Sequence, residues 1–291
     1  MAVFQIKNNG SLIDYLTALG HTRTKIKQLI RHRAIEVNGK VVKDLDHPLQ
    51  KGDTVIVSKG NKEPGVVPAL GIKIIYEDDA IVVADKPAGL LTIASETEKR
   101  RTVYYQLNEH LRQRYPGAGE RIFIVHRLDR DTSGLIVFAK NEAVKRQLQG
   151  NWKDVEKRYY AIVEGTPARK EGEITSHLSE TRSLRVYSDP HSDQAKRAKT
   201  KYRLLMHSKD YALLDILLET GRKNQIRVHL ADIGHPIAGD KKYGARTDPF
   251  RRLGLHSRLL SFKHPITGVP MHFESKMPDR WSSIQFPGVR D

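Results

Sequence analysis

The sequence predicts a chain built from both helices and strands, divided into a small N-terminal unit and a larger sheet-rich one. Three observations carry that prediction. The first 58 residues combine helical apolar spacing with an Asn-Gly hairpin signal. Residues 59–70, KGNKEPGVVPAL, hold two prolines and two glycines without periodicity and read as a linker. From Gly71 onward short apolar runs alternate with polar segments and a few helical patterns, so residues 71–291 are expected to form one sheet-based domain.

In the small unit, Ser11 is placed to cap a helix containing Leu12, Ile13, Tyr15 and Leu16, and Thr22 or Thr24 to cap a second. Ile26, Leu29 and Ile30 recur at helical spacing in the second helix. Arg23, Lys27 and Arg31 recur every four residues on another of its faces, so one face packs and the other is basic. Residues 34–37 and 40–42 flank Asn38-Gly39, a pair that tolerates the positive φ of a two-residue hairpin turn. Gly52-Asp53 leads into a further strand over residues 54–57.

In the larger unit, residues 72–76 and 80–84 are strand candidates, followed by the turn DKPAGL over residues 85–90. Pro87 and Gly89 suit a bend whatever the function, which leaves Lys86 open to either role. Residues 103–114 are expected to be helical, with Leu107 and Leu111 one turn apart, after the basic loop Lys99-Arg100-Arg101. Residues 122–125 predict a strand running into a polar loop, and residues 135–139 one leaving it. Between them Asp129 stands among Arg127 and Arg130; neighbouring cations favour an ionised carboxylate, which can act as a nucleophile or base. Residues 157–163, KRYYAIV, alternate as a strand that turns Tyr159 and Tyr160 to opposite faces.

Composition narrows the function classes. Lysine and arginine exceed aspartate and glutamate by 16, with a pI near 9.8, which favours a polyanionic partner through counterion release. No run approaches the roughly 18 apolar residues of a spanning helix, and the N-terminus lacks the apolar core of a signal peptide, so nucleic acid is expected rather than membrane. Arg23, Lys27, Arg31, Arg33 and Lys40 are the candidate nucleic-acid contacts of the small unit. The absence of cysteine excludes disulfides and thiolate metal sites and fits a reducing cytoplasm. Asp129, Asp131, Ser133 and Gly134 match the first half of a calcium loop, but its twelfth position, which needs a carboxylate, is Lys140. His229 and His235 lack the i, i+4 spacing of a zinc helix, and no glycine-rich phosphate loop is present. No metal or other cofactor is expected.

Three landmarks in order, with a turn ahead of them, resemble one family. HRLDRDTSGL, residues 126–135, looks like the catalytic loop of the RluA-type RNA pseudouridine synthases; the related RsuA type usually carries glycine where this chain has His126. Lys157, Tyr159 and Ala161 match that family's lysine-x-tyrosine-x-alanine element, and DKPAGL its lysine-proline-glycine turn. LETGRKNQIRVH, residues 218–229, resembles its threonine-glycine-arginine turn followed by a glutamine-isoleucine-arginine strand. Lys223 and Asn224 depart from that pattern, where threonine and histidine are common, and this bears on local turn or RNA contacts. The first 58 residues resemble the alpha-L RNA-binding domain.

The resemblance implies an α+β fold with a mixed, largely antiparallel sheet, and isomerisation of uridine in structured RNA without cofactor. By the same resemblance Asp129 starts cleavage of the glycosidic bond, Tyr159 stacks on the flipped uracil and is a candidate for taking the carbon 5 proton, and Arg227 pairs with Asp129. His126, Arg127 and Ile226 are expected at the substrate, Arg127 filling the vacated stack or gripping a phosphate. The segments HPIAGD, residues 235–240, and Tyr243-Gly244 are expected to be mainly architectural. Ribosomal RNA is the expected substrate and a monomer the expected form. The alternatives are transfer RNA as substrate, an RNA-binding factor without chemistry, and a hydrolase that releases free uracil.

Overall fold

The computed structural model describes residues 2–31, 34–42, 44–57, 65–67, 70–114 and 121–286. The chain divides into two compact units, Met1–Gly65 with Tyr76–Ile81, and Val66–Ile75 with Val82–Asp291. The stretch read as a linker lies outside the described residues, except that Gly65–Val67 forms a strand and Leu70 begins a turn.

In the first unit the order is β1 (Ala2–Gln5), β2 (Gly10–Ser11), α1 (Leu12–Ala18), α2 (Arg23–Arg31), β3 (Ile35–Val37), β4 (Lys40–Val41), β5 (Pro48–Leu49) and β6 (Thr54–Val57). Ser11 caps α1 by accepting from the Asp14 amide at 3.2 Å, and Thr22 does the same for α2 through Lys25, also at 3.2 Å. Asn38 and Gly39 both take positive φ, 51° and 76°, which closes the β3–β4 hairpin as its sequence predicts. Leu12, Leu16, Ile26, Ile35 and Val55 close a separate apolar core, leaving Arg23 and Lys27 exposed on α2. Arg33 lies outside the described residues, as do the side chains of Arg31 and Lys40.

The second unit is built on a twelve-stranded sheet. Its elements are β7 (Gly65–Val67), β8 (Ile72–Glu77), β9 (Ile81–Lys86), α3 (Val103–Arg114), β10 (Phe123–Ile124), β11 (Ser133–Ala139), α4 (Glu142–Gly150) and β12 (Glu156–Glu164). They continue as β13 (Glu171–Glu180), β14 (Val186–Ser188), β15 (Lys196–His207), β16 (Tyr211–Leu218), α5 (Gln225–Asp232), β17 (Leu255–Lys263) and β18 (Pro270–Glu274). Along the sheet the order is β14-β13-β15-β16-β12-β17-β11-β9-β8-β7, with β10 on β11 and β18 on β17. β12 is antiparallel to β16 and β17, whereas β11 and β17 run parallel, so the sheet is mixed and largely antiparallel, and the fold is α+β.

Two local features aim the central strands. β11 is buried along its whole length and crosses β17 at Gly134, whose φ of 107° and lack of a side chain permit the approach; a Cβ there would lie 2.1 Å from the Ser257 carbonyl oxygen. A bulge between Arg158 and Tyr159 shifts the register of β12 on β17, and bulges redirect side chains. Tyr159 then faces the main core with Leu128, Ile226 and Leu255, while Tyr160 joins a different cluster around Trp281.

One expectation fails. The segment holding Gln225, Ile226 and Arg227 is the helix α5 and not a strand. Asn224 adopts the left-handed conformation, φ 53°, at its N-terminus and reverses the chain out of β16; asparagine tolerates that conformation better than most residues. The helix is then pinned by buried polar contacts. The Gln225 amide donates to Thr200 Oγ1 at 2.9 Å and to the Lys199 carbonyl at 3.0 Å, and the His229 ring lies between Thr200 Oγ1 and Ser176 Oγ at 2.9 and 3.0 Å.

Candidate active site

The polar loop between β10 and β11 carries Asp129 and is tied down on every side. Lys86, fully buried at the end of β9, donates through Nζ to the carbonyls of Pro87, Leu90 and Arg130 at 3.0, 2.7 and 2.9 Å. Lys86 therefore joins the DKPAGL turn to the Asp129 loop. Burial pulls its ammonium down to about 7, against the attraction of Asp131 and Asp129. Thr92 Oγ1 donates to the Leu128 carbonyl and accepts from its amide, at 2.8 and 3.2 Å. His126 anchors the loop's start: Nε2 accepts from the Val137 amide at 3.1 Å and the ring lies 4.4 Å from that of Trp152. Burial, with Lys157 adding, lowers His126 to about 3, so it stays a neutral imidazole.

Arg227 projects from α5 toward this loop. Its Nη1 reaches Asp129 Oδ2 at 3.5 Å, the outer limit of a hydrogen bond. The closer partner is Asp240: Nε donates to Oδ2 at 2.7 Å and Nη2 to Oδ1 at 2.8 Å, a two-point charge-assisted pair. The expected Arg227–Asp129 pair is thus present as the weaker of two, and Asp240 is the closer partner. Nη1 also donates to Asn224 Oδ1 at 3.2 Å, and the guanidinium lies over the Tyr243 ring at 5.0 Å. Burial opposes the Arg227 cation, but the hydrogen bonds and charge of Asp240, with Asp129 adding, outweigh it and hold the group above its ordinary range.

A cleft of about 310 Å³ opens at this point, lined by Asp129, Tyr159, Ile226, Arg227, His126 and Arg127. That is the lower end of the range of roughly 300–1,000 Å³ for small-molecule pockets, suited to a single nucleoside rather than a run of them. All six candidates from the sequence therefore meet in one place, although they come from a loop, a strand and a helix. Asp129 keeps 25% of its side chain exposed, Arg127 is exposed, and Tyr159 and Ile226 form an apolar wall. Burial and the nearby Asp129 charge push the Tyr159 phenol up to about 12, which keeps it protonated at neutral pH.

Sequence reasoning missed Asp240, Trp152 and Thr92. Only Asp240 left a signal: an acid in the otherwise apolar and glycine-containing run HPIAGD. The two departures from the family pattern fit their places, since Asn224 supplies the left-handed residue and a partner for Arg227, and Lys223 pairs with Glu180.

Comparison with known proteins identifies the family. A family model for RNA pseudouridylate synthases matches residues 80–232, and one for the S4 domain matches residues 16–55. An uncharacterized RNA pseudouridine synthase of Bacillus subtilis, YlyB, is 35% identical over 269 residues, covering 90% of this chain and 88% of the relative. Ribosomal large subunit pseudouridine synthase D of Zymomonas mobilis is 32% identical over 291 residues, covering 92% and 89%. Among solved structures, human RNA pseudouridylate synthase domain containing 4 superposes with a TM-score of 0.61 at 24% identity, over 72% of this chain and 90% of that one, and shares the fold. With the synthase model matched across the Asp129 loop, the Tyr159 strand and the Arg227 helix, the chain belongs to the RNA pseudouridylate synthase family, of RluA type, with an S4 domain ahead of the synthase domain.

Proposed function

We propose that this protein isomerises uridine to pseudouridine in structured ribosomal RNA, with Asp129 as the catalytic carboxylate. The observation that carries the reading is the convergence of Asp129, Tyr159 and Arg227, from three separate segments, on one nucleoside-sized cleft. The target uridine leaves its stack, at a cost of a few kcal/mol, because the reacting atoms are inaccessible within a helix. Arg127, exposed at the rim, grips the backbone or fills the vacated stack. Tyr159 and Ile226 hold the uracil between a ring and an aliphatic side chain, replacing part of the lost stacking. Asp129 starts cleavage of the bond between ribose carbon 1′ and uracil nitrogen 1; the base turns and rejoins through carbon 5. The carbon 5 proton departs and nitrogen 1 gains one, so atoms and charge balance without redox change. This balance needs no cofactor.

Ribosomal RNA is favoured over transfer RNA because relatives of similar length are named ribosomal large subunit pseudouridine synthase D, and because an S4 domain and a net charge of +16 accompany the synthase domain. A ribosomal substrate implies a cytoplasmic site of action; among the described residues no helix is long and apolar enough to cross a membrane. A monomer suffices, since one chain supplies every group lining the cleft.

The test replaces Asp129 with asparagine, which keeps size and removes charge. Asp129→Asn is expected to bind RNA with unchanged affinity and to form no pseudouridine. Persistent pseudouridine formation would overturn the assignment, and release of free uracil by the native protein would mark a hydrolase instead. Base-by-base mapping of pseudouridine in RNA from cells with and without the gene identifies the substrate, and a loss confined to transfer RNA would contradict the ribosomal reading.

A further inference from the structure

Arg227 faces two carboxylates and gives its fork to the one outside the reaction. Asp240, with only 1% of its side chain exposed, takes Nε and Nη2 at 2.7 and 2.8 Å. The remaining nitrogen is divided between Asn224 Oδ1 at 3.2 Å and Asp129 Oδ2 at 3.5 Å. The Tyr243 ring lies against the guanidinium, and its hydroxyl accepts from Asn224 Nδ2 at 2.9 Å. Arg227 is therefore held by Asp240, Asn224 and Tyr243 before any substrate arrives. The carboxylate reaches it through a bend at Gly239, φ 80°, where a Cβ would lie 2.4 Å from the Arg252 carbonyl oxygen.

An arginine whose fork is free pairs with a carboxylate at two points and occupies both its oxygens. Such a pair at Asp129 would tie up the lone pairs that must engage the nucleoside. With the Nε–Nη2 edge closed on Asp240, only the end-on edge is left for Asp129, and the anchored guanidinium brings just its Nη1 within reach, at 3.5 Å. We propose that Asp240 is a positioning residue for the isomerisation, holding Arg227 so that a single N–H steadies Asp129 and its other oxygen stays open to the uridine. The inference rests on Asp129 being the catalytic carboxylate.

The charged and titratable groups around Asp129 are Arg227 with Asp240 behind it, Lys86 from the end of β9, Lys242 from the loop after Asp240, Tyr159 from β12, and the chain neighbours Arg127, Arg130 and Asp131. Replacing Asp240 by asparagine leaves the others in the sequence unchanged. It removes one negative charge and one of the two acceptors, which breaks the two-point hold and lets the guanidinium turn toward Asp129.

The experiment uses the full chain and an RNA transcript holding the mapped uridine. For Asp240→Asn, kcat is expected to fall on the order of 100-fold, as for a misplaced reacting group, with KM and RNA affinity unchanged. In an Arg227→Lys background, where no fork exists, adding D240N is expected to change kcat little further. Wild-type kcat in D240N, or a fall in kcat that recurs undiminished in the Arg227→Lys background, overturns the proposal. Should D240N not fold, Asp240→Glu sets the charge one methylene away and must lower kcat at unchanged RNA affinity; wild-type kcat there also overturns it. An active Asp129→Asn variant would sink the underlying reading, whereas an inactive D129N beside a fully active D240N would sink this inference alone.

Discussion

Lys86 is the residue on which the shape of the Asp129 loop depends most directly, because a single ammonium serves three carbonyls from two segments. Its low value has a consequence for stability. Between about 7 and the ordinary lysine value of 10.5 the unfolded chain carries a proton on Lys86 that the folded chain has released. Stability contributed by this group therefore rises with pH through that window, and below it the cost of burying the ammonium is present in full. Denaturant melts of the wild type and Lys86→Met, which has no proton to lose, should show the wild type gaining stability relative to the variant from pH 7 to pH 9. Parallel curves would show that burial leaves this ammonium unperturbed. The residue scale also shows what the sequence made legible. Asp129, Tyr159 and Arg227 stand in motifs whose chemistry is local to a few neighbours. Asp240 acts only through a contact 13 residues away, on a helix that sequence reasoning had drawn as a strand.

At the scale of elements, legibility follows exposure. β8, β9, β11 and β12 were readable because dense apolar runs mark strands buried on one or both faces, and α3 because its buried side recurs at Val103, Leu107 and Leu111. β13 and β15 are long but carry serine, threonine, lysine and glutamate on faces left partly open, so they gave little apolar signal. α5 misled for the opposite reason: Gln225, Ile226, Val228, His229 and Leu230 are all buried, and a helix covered on nearly every side has no polar stripe to reveal its period. Among the described glycines, the closest backbone approach is at Gly134, where β11 pairs with β17. Gly134→Ala places a Cβ inside the Ser257 backbone at a positive φ, so it should cost about 3 kcal/mol or more. Thermal melting checks this, and a variant with the wild-type midpoint would mean that the two strands can separate without loss. Asn141→Ala makes a milder comparison: it removes the side chain that accepts from the Val144 amide at the start of α4, for about 1 kcal/mol.

For the whole molecule, the proposed function assigns holding RNA and changing it to different units. The main core of the catalytic unit draws its side chains from residue 70 onward, while the core of the N-terminal unit closes within residues 4–57. Deleting residues 1–58 should therefore leave the catalytic unit folded, with its cleft and its kcat at saturating RNA intact. What disappears is the basic face of α2. Each phosphate contact contributes about 0.7 to 0.9 to the slope of log affinity against log salt, so losing Arg23 and Lys27 alone should flatten that slope by roughly 1.4 to 1.8. The same loss should raise KM most at low salt, where counterion release favours binding most, and the two proteins should converge as salt rises. Charge reversal of Arg23 and Lys27 in the full chain should reproduce the effect without removing any of the fold. Equal affinities for the full and shortened chains across the titration would place the RNA-holding surface on the catalytic unit itself.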